Sequence, residues 1–380
     1  MVMSENYRIC NKCVMDNSDP NIQFSPTGIC NHCMEYEKIK TVRLFPPESR
    51  ENRLSELISD IKNSGRNKDY DCVMGLSGGV DSSYAAYIAR KNGLRPLAVH
   101  LDNGWNSELA VKNIENIITN LKIDLYTYVI DWEEFKDLQL SYFKASVIDI
   151  EVLTDHAISA ILYKTAARHG IKHILSGANV VSEAILPQSW ISDKNDLLNI
   201  KHIHRRFGSR KIKTFPKLGL TRYLYYRYYK NINVVPILNY VDYNKVEALH
   251  RIVKELSWRD YGGKHHESTF TKFYQAYILP EKFKVDKRRA HLSTLICSGQ
   301  LTREEALTEL NQPLYNDEEL QNDILYVTKK WGMTPREFDQ IMALPIRQYT
   351  EYPTSRNRTA YKVGRSAFRK LRDIGMLKHP

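Results

Sequence analysis

Nowhere does this chain hold the roughly eighteen consecutive apolar residues that a membrane-crossing helix needs. Its opening residues, MVMSENYRICNKC, have no apolar core of a signal peptide, so a cytoplasmic protein is expected. In that compartment six cysteines among 380 residues do not read as a disulfide framework. Internal repeats and low-complexity stretches are lacking too. No lysine follows the glycine pair at Gly78-Gly79, which excludes a Walker loop of the form GxxxxGK[ST]. Acids are missing from residues 201–230, which hold ten Lys and Arg, while residues 346–380 hold nine against two acids. These two segments outweigh the net charge of +11, so the remaining body is mildly acidic. Basic segments of this kind attract polyphosphates, nucleic acid or anionic headgroups.

What is present is ordinary for a globular protein: 42% hydrophobic and 26% charged residues, with length enough for two or three domains. Residues 1–42 form a small cysteine-bearing unit, and TVRLFPPESRENR reads as a linker. Over 50–242 short apolar segments at 71–77, 94–101, 125–130, 173–177 and 233–238 read as strands. Helices near 81–92, 107–121 and 155–169 separate the first four, and another lies near 51–64. Crossover helices between short apolar strands predict an α/β fold with a doubly wound parallel sheet, ligands lying at the carboxyl ends of its strands. A basic insertion occupies 190–230. Its YLYYRYYK run is expected as a helix whose rings face the domain, and the insertion is expected over the strand ends. Residues 243–380 turn helical, as a substrate or partner region, with TREE giving Thr302 and Glu305 the form of a capping box.

Four cysteines fall in CNKC (10–13) and CNHC (30–33), the spacing C-x2-C-x16-C-x2-C of a zinc site. Cys10, Cys13, Cys30 and Cys33 are the candidate ligands of a closed, structural zinc-ribbon-like unit. His32 reads as an exposed spacer, and Cys72 and Cys297 as small inert hydrophobes.

The sharpest signal is SGGVDS (77–82), after a predicted strand and before a predicted helix. Gly78 and Gly79 let backbone amides close on a phosphate. Ser77, Ser82 and Ser83 add hydroxyl donors, and the helix N-terminus adds its dipole. Asp81 would repel a bare anion, so its fitting role is on Mg²⁺ bridging phosphates. The stretch resembles the PP-loop of the N-type ATP pyrophosphatases, which include GMP, NAD and asparagine synthetases and several tRNA-modifying enzymes. That resemblance implies cleavage of ATP between its α and β phosphates. It places the nucleoside near Asp102, Asn103 and Gly104 in VHLDNGW, where ordinary turn chemistry is the alternative. In LSGANVVSEA it implies Gly177 and Asn179 beside the nucleotide and Glu183 on Mg²⁺, with an N-cap role for Ser182 as the alternative. DKRRAH (286–291) sets three cations at a predicted helix start against the dipole. A ligand anion would explain them, so Lys287 and Arg288 are candidates for neutralising pyrophosphate.

With CNKCVMDNSDPNIQFSPTGICNHC, GLSGGVDSSY, KTFPKLGL and YGGKHHESTFTKFYQAYILPEKFKVDKRRAHLSTLICSGQ, the chain resembles the N-acetyl sugar amidotransferases of bacterial surface-polysaccharide (lipopolysaccharide O-antigen, nonulosonic acid) biosynthesis. The resemblance spans residues 7 to about 310. It implies conversion of an acetamido to an acetamidino group on a sugar, nucleotide-linked, with ATP adenylating the amide and ammonia displacing AMP. Lys264, His265, His266 and Glu267 become substrate-side candidates, one histidine managing a proton. It also implies a separate glutaminase and a cyclase-like subunit conducting ammonia, since no N-terminal cysteine and no glycine-flanked nucleophile turn is present. The basic segment 346–380 is a candidate dock for that partner. The rival is a tRNA-thiolating PP-loop enzyme with a zinc ribbon. Such chemistry uses a catalytic cysteine pair, which isolated Cys72 and Cys297 do not make, so nucleic acid is not the expected partner.

Overall fold

A computed structural model describes residues 7–261 and 267–355. The expected segments become five parallel strands: β1 (Cys72–Gly75), β2 (Pro96–Asp102), β3 (Asp124–Val129), β4 (His173–Ser176) and β5 (Asn233–Pro236). Their order is β3-β2-β1-β4-β5. Val73 is in register with Leu97 on one side and Ile174 on the other, and Leu97 is in register with Asp124. The chain winds outward from β1 to β3, then restarts at β4 on the other side of β1. Strand order reverses between β1 and β4, and open sheets of this kind take their ligands at the carboxyl ends of such a pair.

Helices α1 (Asn31–Arg43) and α2 (Pro47–Gly65) precede the sheet, which leaves only residues 44–46 of the predicted linker outside a helix. Crossovers α3 (Val80–Lys91) and α4 (Glu108–Leu121) cover one face. The other carries α5 (Trp132–Ala145) and α6 (Val152–Arg168). The predicted elements omit α5, which Asp131 caps by accepting from Glu134 N–H. A four-residue turn, α7 (Val180–Glu183), follows β4, and the basic insertion supplies α8 (Leu197–Phe207) and α9 (Leu220–Leu224). Tyr223 and Tyr226 of the tyrosine run meet Tyr163 of α6 as expected, whereas Tyr225, Tyr228 and Tyr229 face outward.

Beyond β5 the chain is helical as expected: α10 (Lys245–Leu256), α11 (Thr269–Phe273), α12 (Arg288–Ser298), α13 (Arg303–Leu310), α14 (Asp317–Trp331) and α15 (Pro335–Met342). Between α11 and α12 a wide-turn segment accommodates Pro280. The capping box of Thr302 with Glu305 is formed. The cysteine unit is wedged against this region: Ser293 accepts from Val14 N–H, and Arg303 donates to the carbonyls of Cys10 and Cys13. No helix among the described residues is long and apolar enough to cross a membrane.

Candidate functional site

The turn after β1 reverses at Gly78, whose φ of +84° suits glycine, and a Cβ there would lie 3.0 Å from the Ala110 carbonyl. The Gly78 carbonyl accepts from Trp258 Nε1 at 2.7 Å and Tyr261 Oη at 3.1 Å, tying the loop to the region after α10. Gly79 starts α3, and no side chain caps that helix, so its first-turn N–H groups face the loop. Ser77 and Ser82 line the turn with hydroxyls 3.1 Å apart. Ser83 points elsewhere: it is buried and donates to the Gly79 carbonyl at 2.7 Å, a bond internal to the helix.

Asp81 accepts from the hydroxyl of Tyr243, a buried residue that no sequence motif marks. Burial, with the carboxylates of Asp81 and Glu183 beside it, holds the Tyr243 phenol well above its usual range. Tyr243 stays a hydrogen-bond donor between the two loops that bear those acids. The loops also touch through backbone, since a Cβ on Gly177 would sit 2.8 Å from the Asp81 carbonyl and 2.9 Å from Ser82 N. Gly177→Ala should therefore force the loops apart. We expect the KM for ATP to rise about tenfold or more, with a smaller fall in melting temperature. An unchanged KM would show that the close approach is not needed for nucleotide binding.

Asn179, not Ser182, caps α7: its side chain accepts from Ser182 N–H at 2.8 Å and donates to the Gly177 carbonyl at 3.2 Å. In the other loop Asp102 accepts from Gly104 N–H at 2.9 Å, and Asn103 accepts from Trp105 N–H at 3.1 Å. Gly104, at φ +79°, lies against Trp132, and its carbonyl accepts from Lys330. Turn chemistry accounts for all three residues, and Asn103 also reaches Thr154 of α6 at 3.4 Å.

That contact brings the start of α6 over the strand ends, with acids the sequence reading passes over. Lys287 lies 3.8 Å from Glu151, and Asp155 feels Lys194, Glu151, Lys287 and Glu183. Asp155 is solvent-exposed, and the surrounding protein, with Glu151 and Glu183 nearby, raises its pKa against the pull of Lys194 and Lys287. Asp149 is buried, accepting from the N–H groups of Val152 and Ser192, and burial pushes it up to about 7. Its folded pKa exceeds its unfolded one, so the stability of the protonated form is complete below about pH 4 and is lost as pH rises toward 7. Asp149→Asn should flatten the fall in melting temperature between pH 5 and 7.5. An unaltered slope would assign it to other groups.

Arg288 and Arg289 of DKRRAH need no ligand anion to explain them. Arg288 is clamped by Asp286 at 2.8 Å and donates to the carbonyls of Glu309, Leu310 and Gln312, closing the end of α13. Arg289 pairs with Asp16 at 3.0 Å. The structure thus brings Lys287 to the acids at the start of α6 and holds Arg288 away, at α13. His291 donates from Nδ1 to the Ser182 carbonyl at 3.0 Å and accepts from Lys245, joining α12 to the loop after β4. Glu267 reaches the phosphate loop, its Oε1 being 3.6 Å from where a Cβ on Gly79 would stand. Lys264, His265 and His266 lie outside the described residues, as does most of the 346–380 segment.

The four knuckle sulfurs converge within 4.8 Å of one another, all buried. The separations Cys10–Cys33, Cys13–Cys30 and Cys30–Cys33 are 3.7–3.8 Å. A tetrahedron with Zn–S bonds of ~2.3 Å has edges of ~3.8 Å, so the cluster fits zinc. Backbone N–H groups of Lys12, Cys13 and Cys30 point at Cys10 Sγ, favouring its thiolate. His32 is neither ligand nor exposed spacer, since it is half-buried on Asp19 at 2.7 Å. Cys72 is buried in β1 as expected. Cys297, expected to be isolated, stands 3.6 Å from Cys33.

Two family models match. That of the C-terminal domain of WbpG-like LPS biosynthesis proteins covers residues 267–367, and that of NAD synthase covers 52–187. No curated protein matches. Among solved structures, NMN synthetase from Francisella tularensis is 16% identical over 50% of this chain and 98% of its own, with a TM-score of 0.30. The NH3-dependent NAD synthetase from Campylobacter jejuni is 15% identical over 54% and 83%, at 0.29. A predicted subunit of a tRNA methyltransferase from Methanocaldococcus jannaschii is 17% identical over 48% and 76%, at 0.27.

Proposed function

Because this chain is a PP-loop protein that joins an NAD-synthase-type domain to a WbpG-like lipopolysaccharide-biosynthesis domain, we propose that it is an ATP-dependent, AMP-forming sugar amidotransferase. Its substrate in this reading is an N-acetyl sugar, nucleotide-linked, whose acetamido group becomes an acetamidino group during surface-polysaccharide synthesis. One observation carries the reading. Glu267, where the WbpG-like segment begins, sits at Gly79 of the phosphate loop, so the segment most specific to this chemistry meets the nucleotide-binding turn.

An amide carbon is a poor electrophile, and adenylation changes that. The amide oxygen attacks the α-phosphorus of ATP, and pyrophosphate leaves into the turn made by Ser77, Gly78, Gly79 and the first-turn amides of α3. Ammonia adds to the O-adenylated imidate, and AMP departs with the former amide oxygen. Asp81 and Glu183 would hold Mg²⁺, which supplies positive charge to the phosphates when bound. The chain's own work is positioning and charge stabilisation. Lys287, beside the acids at the start of α6, would neutralise charge on the leaving pyrophosphate, with Asp102, Asn103 and Gly177 around the nucleoside side. The proton released on ammonia addition goes to His265 or His266. Ammonia would come from a separate glutaminase through a cyclase-like subunit.

The test is purified protein with ATP, Mg²⁺, a panel of nucleotide-linked N-acetyl sugars, and ammonium or glutamine. Ammonium should support exchange of O for NH with release of AMP and pyrophosphate, its rate climbing with pH as free ammonia accumulates. Glutamine alone should not. Hydrolysis of glutamine by this chain would overturn the split-subunit reading, and thiolation of tRNA without sugar turnover would overturn the assignment.

A further inference from the structure

We propose a second ligand site, for a nucleoside diphosphate, in a cavity beside the β3 edge of the sheet. The cavity measures about 500 Å³ and shares no lining residue with the phosphate loop, the 102–104 turn or the loop after β4. Its size lies within the roughly 300–1,000 Å³ of small-molecule pockets. Tyr70 and His169 at one end precede β1 and β4, so it opens toward the amino ends of the strands. The phosphate loop lies at the opposite, carboxyl ends.

Charge gives the ligand its sign. Lys164 and Arg168 of α6, Lys213 of the insertion loop and Arg222 of α9 all line the cavity. None of these four side chains has a hydrogen bond or ion pair among the described residues. The one carboxylate on the wall, Asp124, already accepts from Tyr70 Oη at 2.8 Å. These four exposed cations, with Lys217 also on the wall, outnumber the single Asp124 carboxylate, and a multivalent anion would offset the excess positive charge.

Shape gives the ligand its second half. Leu97, Ile161 and Phe215 make an apolar floor, and the exposed ring of Tyr126 stands on the rim with no ring partner among the described residues. A bare phosphate would leave that surface wet. A planar base stacked on a tyrosine, with a diphosphate among the cations, satisfies both halves.

The basic wall is held in place. Glu134 accepts from the N–H groups of Lys213, Thr214 and Phe215 at 2.9–3.1 Å, and Asp137 accepts from those of Ser209 and Arg210. Burial pushes the Glu134 carboxyl up, but these N–H donors outweigh it and hold it below the usual range. His156 Nε2 accepts from Leu218 N–H at 3.1 Å and closes the other end. Buried acids thus fix the loop backbone while the Lys213 ammonium stays outward. This inference does not depend on the amidotransferase reading.

The probe is UDP, titrated calorimetrically into the full-length protein, with UDP-N-acetylglucosamine and inorganic pyrophosphate as parallel arms. Wild type and Asp81→Asn should bind one equivalent of UDP alike. Arg168→Glu/Arg222→Glu, at exposed positions, should bind at least tenfold more weakly with an unchanged melting temperature. If that variant melts early, Lys213→Ala must show the loss. Tighter binding of UDP assigns the site to free nucleotide and tighter binding of the sugar-linked form to nucleotide sugar, and either supports it. Absent UDP binding, binding lost in Asp81→Asn but kept in the double variant, or pyrophosphate binding as tight as UDP would overturn it.

Discussion

Asp81→Asn is expected to lower ATP-cleaving turnover by on the order of 10²–10³ or more, the usual cost of losing a charge-stabilising contact at a reacting phosphate. The substitution keeps the size of the side chain and an oxygen for the Tyr243 hydroxyl, so the fold should survive. What disappears is negative charge where the loops after β1 and β4 meet. Tyr243→Phe offers a graded comparison, since it removes only the hydroxyl that holds the carboxylate. It should cost less than Asp81→Asn and act more on kcat than on the sugar's KM. Chromatography of the nucleotide products checks both. Wild type releasing ADP and phosphate, or Asp81→Asn retaining full activity, would remove the loop from the chemistry.

Replacing Cys10 by Ser is the second large effect. Structural zinc contributes apparent free energies of ≈10–16 kcal/mol to small metal-organised units, which rivals the ~5–15 kcal/mol stability of a whole domain. The cysteine unit buries few large side chains beyond Met15, Tyr36 and the sulfurs themselves. We expect one zinc per chain in wild type, and none in Cys10→Ser together with aggregation or a greatly lowered melting temperature. Metal analysis and calorimetry test this directly. An iron–sulfur absorbance, or a variant as stable as wild type, would contradict it.

The strands were legible because each is short, apolar and bounded by turn residues, as buried parallel strands are. Helix α5 escaped because it is buried nearly all round. Glu134, Asp137, Gln139 and Ser141 are buried beside Phe135, Leu138 and Tyr142, so the apolar periodicity blurs. Both buried acids are clamps for a loop more than seventy residues downstream, a pairing that composition does not reveal. The phosphate loop was legible because its chemistry is local: two glycines, a strand before and a helix after. Tyr243 was not, since one tyrosine among 24 carries no signal until folding sets it against Asp81. DKRRAH misled because Arg288 is neutralised by Asp286 within the run, while the counter-charges of Arg289 and Lys287, Asp16 and Glu151, lie far away in sequence.

The wedging of the cysteine unit against α12 and α13 bears on how the chain is made. Its knuckles are made before the sheet, but the surface that receives them, Ser293, Cys297 and Arg303, is synthesised some 280 residues later. A nascent chain would therefore hold any metal on an undocked cysteine unit until α12 and α13 have been made. Such a high-separation closure comes last and slowly. Because α12 also holds the loop after β4 through His291 and Thr294, nucleotide-binding competence should appear only after this final docking. Ribosome-bound chains stopped before α12 should already retain zinc yet show no affinity for ATP.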